Sequence, residues 1–271
     1  MLFGLKSSFH PFVAHPTFRA MKDQPLAEIV RRLQDPVVRA ALLSEAPQTP
    51  HRSASYLATA WHQMYRLGAE PDYEPTRESS ALATAEREGC DPQAVVLDWL
   101  LEDGGDALLF SPLGSYVDHD HEAIREMILH PASILGLSDG GAHCGLICDA
   151  SFPTYLLSHW TRDRTRGELL PVELVVHKQT QATAQAYGIV DRGVLAPGML
   201  ADINVIDHDA LHLHRPRMVY DLPAGGKRLL QDVEGYRATV KAGVTTFVDG
   251  AVTDERPGRT LRATDDGIVR T

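Results

Sequence analysis

The residues best placed to do chemistry lie in one run, Leu135-Gly-Leu-Ser-Asp-Gly-Gly-Ala-His143. Its pattern predicts a buried apolar strand over 133–137 that runs into Ser138-Asp139, with Gly140 and Gly141 allowing a sharp turn. A carboxylate at a strand end can ligate a hard or borderline metal and can take a proton from water held there. The plainer reading of Asp139 is local, because Asp before two glycines caps turns in many loops. Spacing alone leaves both readings open. His143 closes the run, and its position assigns it no role.

Other groups offer metal-type donors. His119-Asp-His121 has His-x-His spacing, which on a strand would put both rings on one face. Here it precedes a helix expected over 121–129, where such residues diverge, so solvated helix-entry histidines are expected. Cys144-x3-Cys148 has no second Cys or His pair at zinc-finger spacing, and a structural zinc site is not expected. His10, His15, His51, His62, His159 and His177 are scattered and read as loop and helix-surface residues. His208, His212 and His214 fall in a late β-rich stretch. The sequence has no glycine-rich phosphate loop and no Gly-x-Ser-x-Gly elbow.

The elements that must position these residues follow from periodicity. Short strands are expected over 2–5 and 107–110. Leu26, Ile29, Val30 and Leu33 recur at helical spacing. Asp35-Pro36 stops that helix and starts another, Asp as cap and Pro at the first helical position. A third helix is expected over 52–67, then an exposed connection over 69–80. Further helices are expected over 81–88, closed by Gly89, and from Asp91-Pro92 with Val95, Val96, Trp99 and Leu100 inward. Two more are expected over 152–165 and 171–187. Strand and helix alternate, which favours an α/β class with parallel strands. From about residue 190 the texture changes. Alternating stretches at 201–206 and 236–240, and 244–252 folded about Asp249-Gly250, predict a small β module over 190–271.

Three motifs carry a resemblance. Ser138-Asp139-Gly140-Gly141-Ala142-His143 is the first. Arg192-Gly193, Pro197-Gly198, Ala201-Asp202 and Asp207 form the second, and Gly235-Tyr-Arg-Ala-Thr-Val240 with Asp249-Gly250 and Pro257-Gly-Arg259 the third. Together they resemble the amidohydrolase superfamily, and within it the N-acyl-D-amino-acid deacylase (D-aminoacylase-like) branch. The likeness runs through nearly the whole chain and is strongest from 130 to 260. It implies a metal-dependent hydrolase acting on a non-peptide C–N (amide) bond, usually with zinc. The implied fold is a (β/α)8 barrel with a β-sandwich-like side domain, and the implied substrate a small N-acyl amino acid or related amide. Asp139 falls on the family's last-strand aspartate, implying a metal ligand that is also the catalytic proton shuttle. Gly140, Gly141 and His143 match the motif without an assigned role.

The family's other ligands are a His-x-His on the first strand, a Cys, Glu or modified Lys on a middle strand, and histidines on the fifth and sixth strands. They find no match here. A whole barrel takes about 250 residues, and residues 1–189 contain only the strands expected at 2–5, 107–110 and 133–137. The chain is therefore expected to be the C-terminal part of such a barrel over 1–189, with a long lid-like insertion, plus the β module over 190–271. Alone it is expected to bind catalytic zinc poorly. It would be completed by an N-terminal half-barrel partner docking on an open edge at 2–5, or else be a non-catalytic remnant or binding protein.

Composition narrows the classes. With 26 Lys+Arg against 36 Asp+Glu, the net charge of −10 argues against a protein that wraps duplex nucleic acid. No apolar run approaches the ~18 residues of a membrane span. Three cysteines make no disulfide framework and the start shows no signal peptide, so a reducing, cytoplasmic setting is expected.

Overall fold

The computed structural model describes residues 1–48, 52–112, 114, 116–136, 140–264 and 267–270. In chain order the elements are β1 (Leu2–Phe3), α1 (Pro16–Arg19), α2 (Leu26–Gln34), α3 (Pro36–Ser44), α4 (Arg52–Thr59), β2 (Tyr65–Leu67), α5 (Ala81–Glu88), α6 (Pro92–Leu101) and β3 (Leu108–Phe110). Then come α7 (Glu122–Leu129), α8 (Phe152–Ser158), α9 (Val172–Gln179), α10 (Gln181–Ala186), β4 (Ile203–Ile206), β5 (His212–Leu213), β6 (Arg217–Leu222) and β7 (Gly226–Leu230). The chain closes with β8 (Val233–Glu234), β9 (Tyr236–Lys241), β10 (Val244–Val248), β11 (Ala251–Val252), β12 (Leu261–Thr264) and β13 (Gly267–Arg270). No described helix is long and apolar enough to cross a membrane. The chain divides into two compact units.

The first unit comprises Met1–His121, Gly141–Cys148 and Arg215–Leu230. Its helices start where local chemistry says they should. Asp35 caps α3 by accepting from Val37 N at 2.8 Å and Val38 N at 3.3 Å. Ser80 and Asp91 do the same for α5 and α6, and Gly89 closes α5 at φ 68°. The inward faces of α2 and α6 bury Ile29, Leu33, Val96 and Leu100 with Phe3, Met64 and Leu109 in one core. A three-stranded sheet, order β1-β3-β2, lies at its centre, both pairings antiparallel. The hairpin β6–β7 adds Leu229 and Met218 to an apolar cluster with Leu2, Leu67 and Leu108. The edge expected to be open at 2–5 is engaged here: Leu2 N donates to Leu146 O at 2.8 Å, while Leu229 N donates to Cys144 O at 2.6 Å.

The second unit comprises Glu122–Gly140, Asp149–His214 and Gln231–Thr271. Trp160, Leu156, Leu170, Val175 and Leu211 form its core. The Arg164 guanidinium is enclosed, paired with Glu122 at 2.7 Å and set over the Trp160 ring at 4.8 Å. A four-stranded antiparallel sheet, order β11-β10-β9-β4, carries the hairpin expected about Asp249-Gly250, with both residues at positive φ. Asp202, from the second sequence motif, binds Lys241 at 2.6 Å, Arg192 at 3.0 Å and Ala242 N at 2.8 Å. Burial works to raise its carboxyl pKa, but the Lys241 and Ala242 bonds outweigh this and hold it below the usual range. That motif therefore pins β4 to the β9–β10 turn.

Three expectations are corrected. The class is mixed α/β as expected, but every described strand pairing is antiparallel where parallel strands were expected. The helix expected over 52–67 stops at Thr59, and β2 follows, because Tyr65 and Leu67 bury against β3 while Arg66 faces outward. No strand forms over 133–136. There Lys178 Nζ takes the carbonyls of His130 and Ser133 at 2.9 and 2.8 Å, and Thr183 Oγ1 reaches that of Leu135 at 3.4 Å. Side chains occupy the acceptors a ladder would use.

Candidate functional site

Leu137, Ser138 and Asp139 lie outside the described residues, so the structure gives Asp139 no geometry. The turn after it can be followed. A Cβ at Gly141 would meet no atom within 4 Å. His143 itself takes the left-handed conformation, φ 51°, and is exposed. Its carbonyl accepts from Leu146 N at 2.7 Å and Ile147 N at 2.9 Å, closing a tight turn. Leu146 then packs on the first unit's core. His143 thus has a conformational task, setting the turn that leads to the strand edge.

A different cluster of ligand-type side chains sits in the first unit. Glu74 lies in the connection before α5 and is 2% exposed, and His121 is 7% exposed. Glu74 Oε1 accepts from His121 N at 2.8 Å, and Glu74 Oε2 stands 3.8 Å from His121 Nδ1. Tyr116 packs edge-on to the His121 ring, centroids 5.1 Å apart, and its hydroxyl donates to Pro75 O at 2.6 Å. Tyr65 Oη and His119 Nδ1 are 2.5 Å apart, with His119 at φ 58°. So His119 and His121 are not both the solvated helix-entry residues expected: His121 is buried because Glu74 captures its backbone and Tyr116 covers its ring. Both rings pack edge-on to Tyr116, at 6.3 and 5.1 Å, but their polar neighbours differ, Tyr65 for His119 and Glu74 for His121.

Burying a carboxylate is costly unless hydrogen bonds, opposite charge or a metal compensate. The Glu74 oxygen and His121 nitrogen are donors that suit a borderline ion such as zinc. An ion bonded at about 2.0–2.2 Å can bridge two donors 3.8 Å apart. Glu74 was not singled out from the sequence. It is 47 positions from His121, and no local pattern joins them.

The remaining histidines divide. His62 and His177 are exposed, as expected. His159 stacks on Tyr155 at 4.5 Å in the π-helical turn after α8. His51 lies outside the described residues. His10 and His15, expected at the surface, are buried. His10 packs edge-on to Phe18 at 4.4 Å, and burial, then the neighbouring His15 and Lys227, lower its pKa from 6.5 to about 3. Cys90, Cys144 and Cys148 are free thiols.

A mixed α/β chain with a Ser-Asp-Gly-Gly-Ala-His motif and a pinned return segment fits one class of protein. The chain belongs to the amidohydrolase family, whose model matches residues 4–247. Within the family its relationship is D-aminoacylase-like. It is 32% identical over 155 residues to an N-acyl-D-glutamate deacylase of Alcaligenes xylosoxydans xylosoxydans, covering 56% of this chain and 29% of that protein. Two solved structures are also similar. One is a D-aminoacylase described for the functional role of its binuclear metal centre, at TM-score 0.33 and 18% identity, covering 71% of this chain and 36% of that one. The other is a D-aminoacylase mutant in complex with copper chloride, at TM-score 0.36 and 16% identity, covering 87% and 46%. The chain spans less than half the length of each of these relatives.

Proposed function

We propose that this chain is part of a metal-dependent hydrolase that cleaves a non-peptide C–N bond, deacylating an N-acyl-D-amino acid in the cytoplasm. The observation that carries the reading is the 32% identity to an N-acyl-D-glutamate deacylase. Asp139 is the proposed metal ligand, and Glu74 with His121 is a donor pair of suitable chemistry in the first unit. A bound zinc ion would supply Lewis acidity. Asp139 takes a proton from the attacking water as its oxygen adds to the amide carbon. It then delivers that proton to the nitrogen as the C–N bond breaks, leaving a carboxylic acid and a free amine.

Neither Asp139 nor the Glu74–His121 pair by itself makes the three protein ligands usual at catalytic zinc. We therefore propose that an N-terminal half-barrel completes the centre, and that the chain alone binds catalytic zinc poorly. A non-catalytic binding protein is the second reading, and the short ligand set favours it. The test is hydrolysis of N-acyl-D-glutamate with excess zinc, by the chain alone and mixed with an N-terminal half-barrel from a D-aminoacylase. Activity is expected only in the mixture, reduced about 10²–10⁴-fold by Asp139→Asn. Activity of the chain alone that Asp139→Asn abolishes would overturn the need for a partner. No activity in either arm would favour the binding protein.

A further inference from the structure

We propose that the β5–β8 ribbon of the second unit carries a surface site for a late first-row divalent metal ion, built from His212, His214, Asp232 and Glu234. The site is independent of the deacylase reading. Strand register carries the argument. His212 pairs with Glu234 and Leu213 with Val233. His214 N donates to Asp232 O at 3.0 Å, which extends the ladder one step further. Residues directly opposite in an antiparallel pair share a face, as do residues two apart on a strand. All four ligand-type side chains therefore occupy one face of the ribbon.

The other face is apolar: Leu211 and Leu213 are 1% and 8% exposed and turned inward, while Val233, opposite Leu213, is 38% exposed. Gly235 helps to fix this register. It sits at φ 97°, and a Cβ there would come within 2.7 Å of Leu211 Cα. Two contacts already join side chains on this face. The His212 and His214 rings lie 4.6 Å apart, and His214 Nε2 is 2.9 Å from Glu234 Oε1.

The donors decide the ion. Two imidazoles with carboxylates suit zinc, copper or nickel, whereas magnesium and calcium prefer oxygen alone. Zinc bonds of about 2.1 Å in a tetrahedral arrangement set adjacent donors roughly 3.4 Å apart. The His214–Glu234 contact must then open by about half an ångström, and the His212 and Asp232 side chains must swing in beside it. His214 and Glu234 have room to part, at 43% and 69% exposure. A metal here would clasp two short strands that share few backbone hydrogen bonds.

The test is calorimetric titration of the metal-free full chain with Zn²⁺ alone. Zinc binding is expected in the wild type and in Asp139→Asn, with the affinity lowered about tenfold or more in His212→Gln/His214→Gln. An isotherm unchanged in that double variant, or displacement of the zinc by equimolar Mg²⁺, overturns the proposal. Should the double variant fail to fold, the wild type still decides. Substoichiometric Ni²⁺ should first broaden the amide NMR signals of 211–214 and 232–235, and broadening that begins elsewhere rejects the site.

Discussion

The two buried histidines of the first unit couple its stability to pH. His10 is neutral in the folded chain because burial, then His15 and Lys227, lower its pKa to about 3, against 6.5 when exposed. Burial also lowers His15, partly offset by Glu45 and a backbone bond to Phe12. Between pH 6.5 and 3 the unfolded chain binds a proton at His10 that the folded chain does not. Stability from this residue is thus complete above pH 6.5 and is lost as pH falls towards 3, by on the order of 5 kcal/mol. The thermal midpoint should drop steeply over that interval in the wild type. It should drop less in His10→Gln, which cannot titrate; equal slopes in the two proteins would refute the assignment. His10 and His15 flank the same short turn, where Phe12 also buries. Nothing in the residue types distinguishes that turn from an exposed loop.

At the scale of elements, local signals were legible and long-range pairing was not. Asp35-Pro36 and Asp91-Pro92 announced the starts of α3 and α6, because a cap is written within three residues of the helix it serves. Asp91→Ala should destabilise the chain by about 1 kcal/mol in urea unfolding, since Gln93 N loses its acceptor. An unchanged midpoint would mean that the end of α6 is satisfied otherwise. The hairpin at Asp249-Gly250 was equally local. By contrast, β2 is three residues long, too short for its alternation to stand out from the helical pattern that precedes it. The stretch 133–136 is apolar enough for a strand, but Lys178 and Thr183, more than 40 positions away, take its carbonyls. The pair Glu74–His121 was hidden for the same reason, while the return motif around Asp202 was visible as a pattern whose partners only the folded chain supplies.

At the scale of the whole molecule, each unit has its own apolar centre. Leu109, at the middle of the β1-β3-β2 sheet, is fully enclosed, and Leu170 is nearly so in the second unit. Removing either side chain to Ala should cost about 2–5 kcal/mol, the usual range for enclosed leucines. Amide hydrogen exchange should quicken around β3 for Leu109→Ala and around α8 for Leu170→Ala. A loss under 1 kcal/mol in either variant would contradict the packing described here.

The first unit gathers three separate stretches of sequence, the last ending at Leu230. Leu229 closes the cluster over Leu2, Leu67 and Leu108, and its backbone meets Cys144. On a ribosome adding about 5–20 residues per second, Leu229 follows Leu2 by roughly 10–50 seconds. Until then the earliest strands to emerge lack the side chain that covers them, however quickly the helices beside them form. Through that interval the nascent chain carries an uncovered apolar seam, and chaperones that hold exposed apolar segments are its natural company.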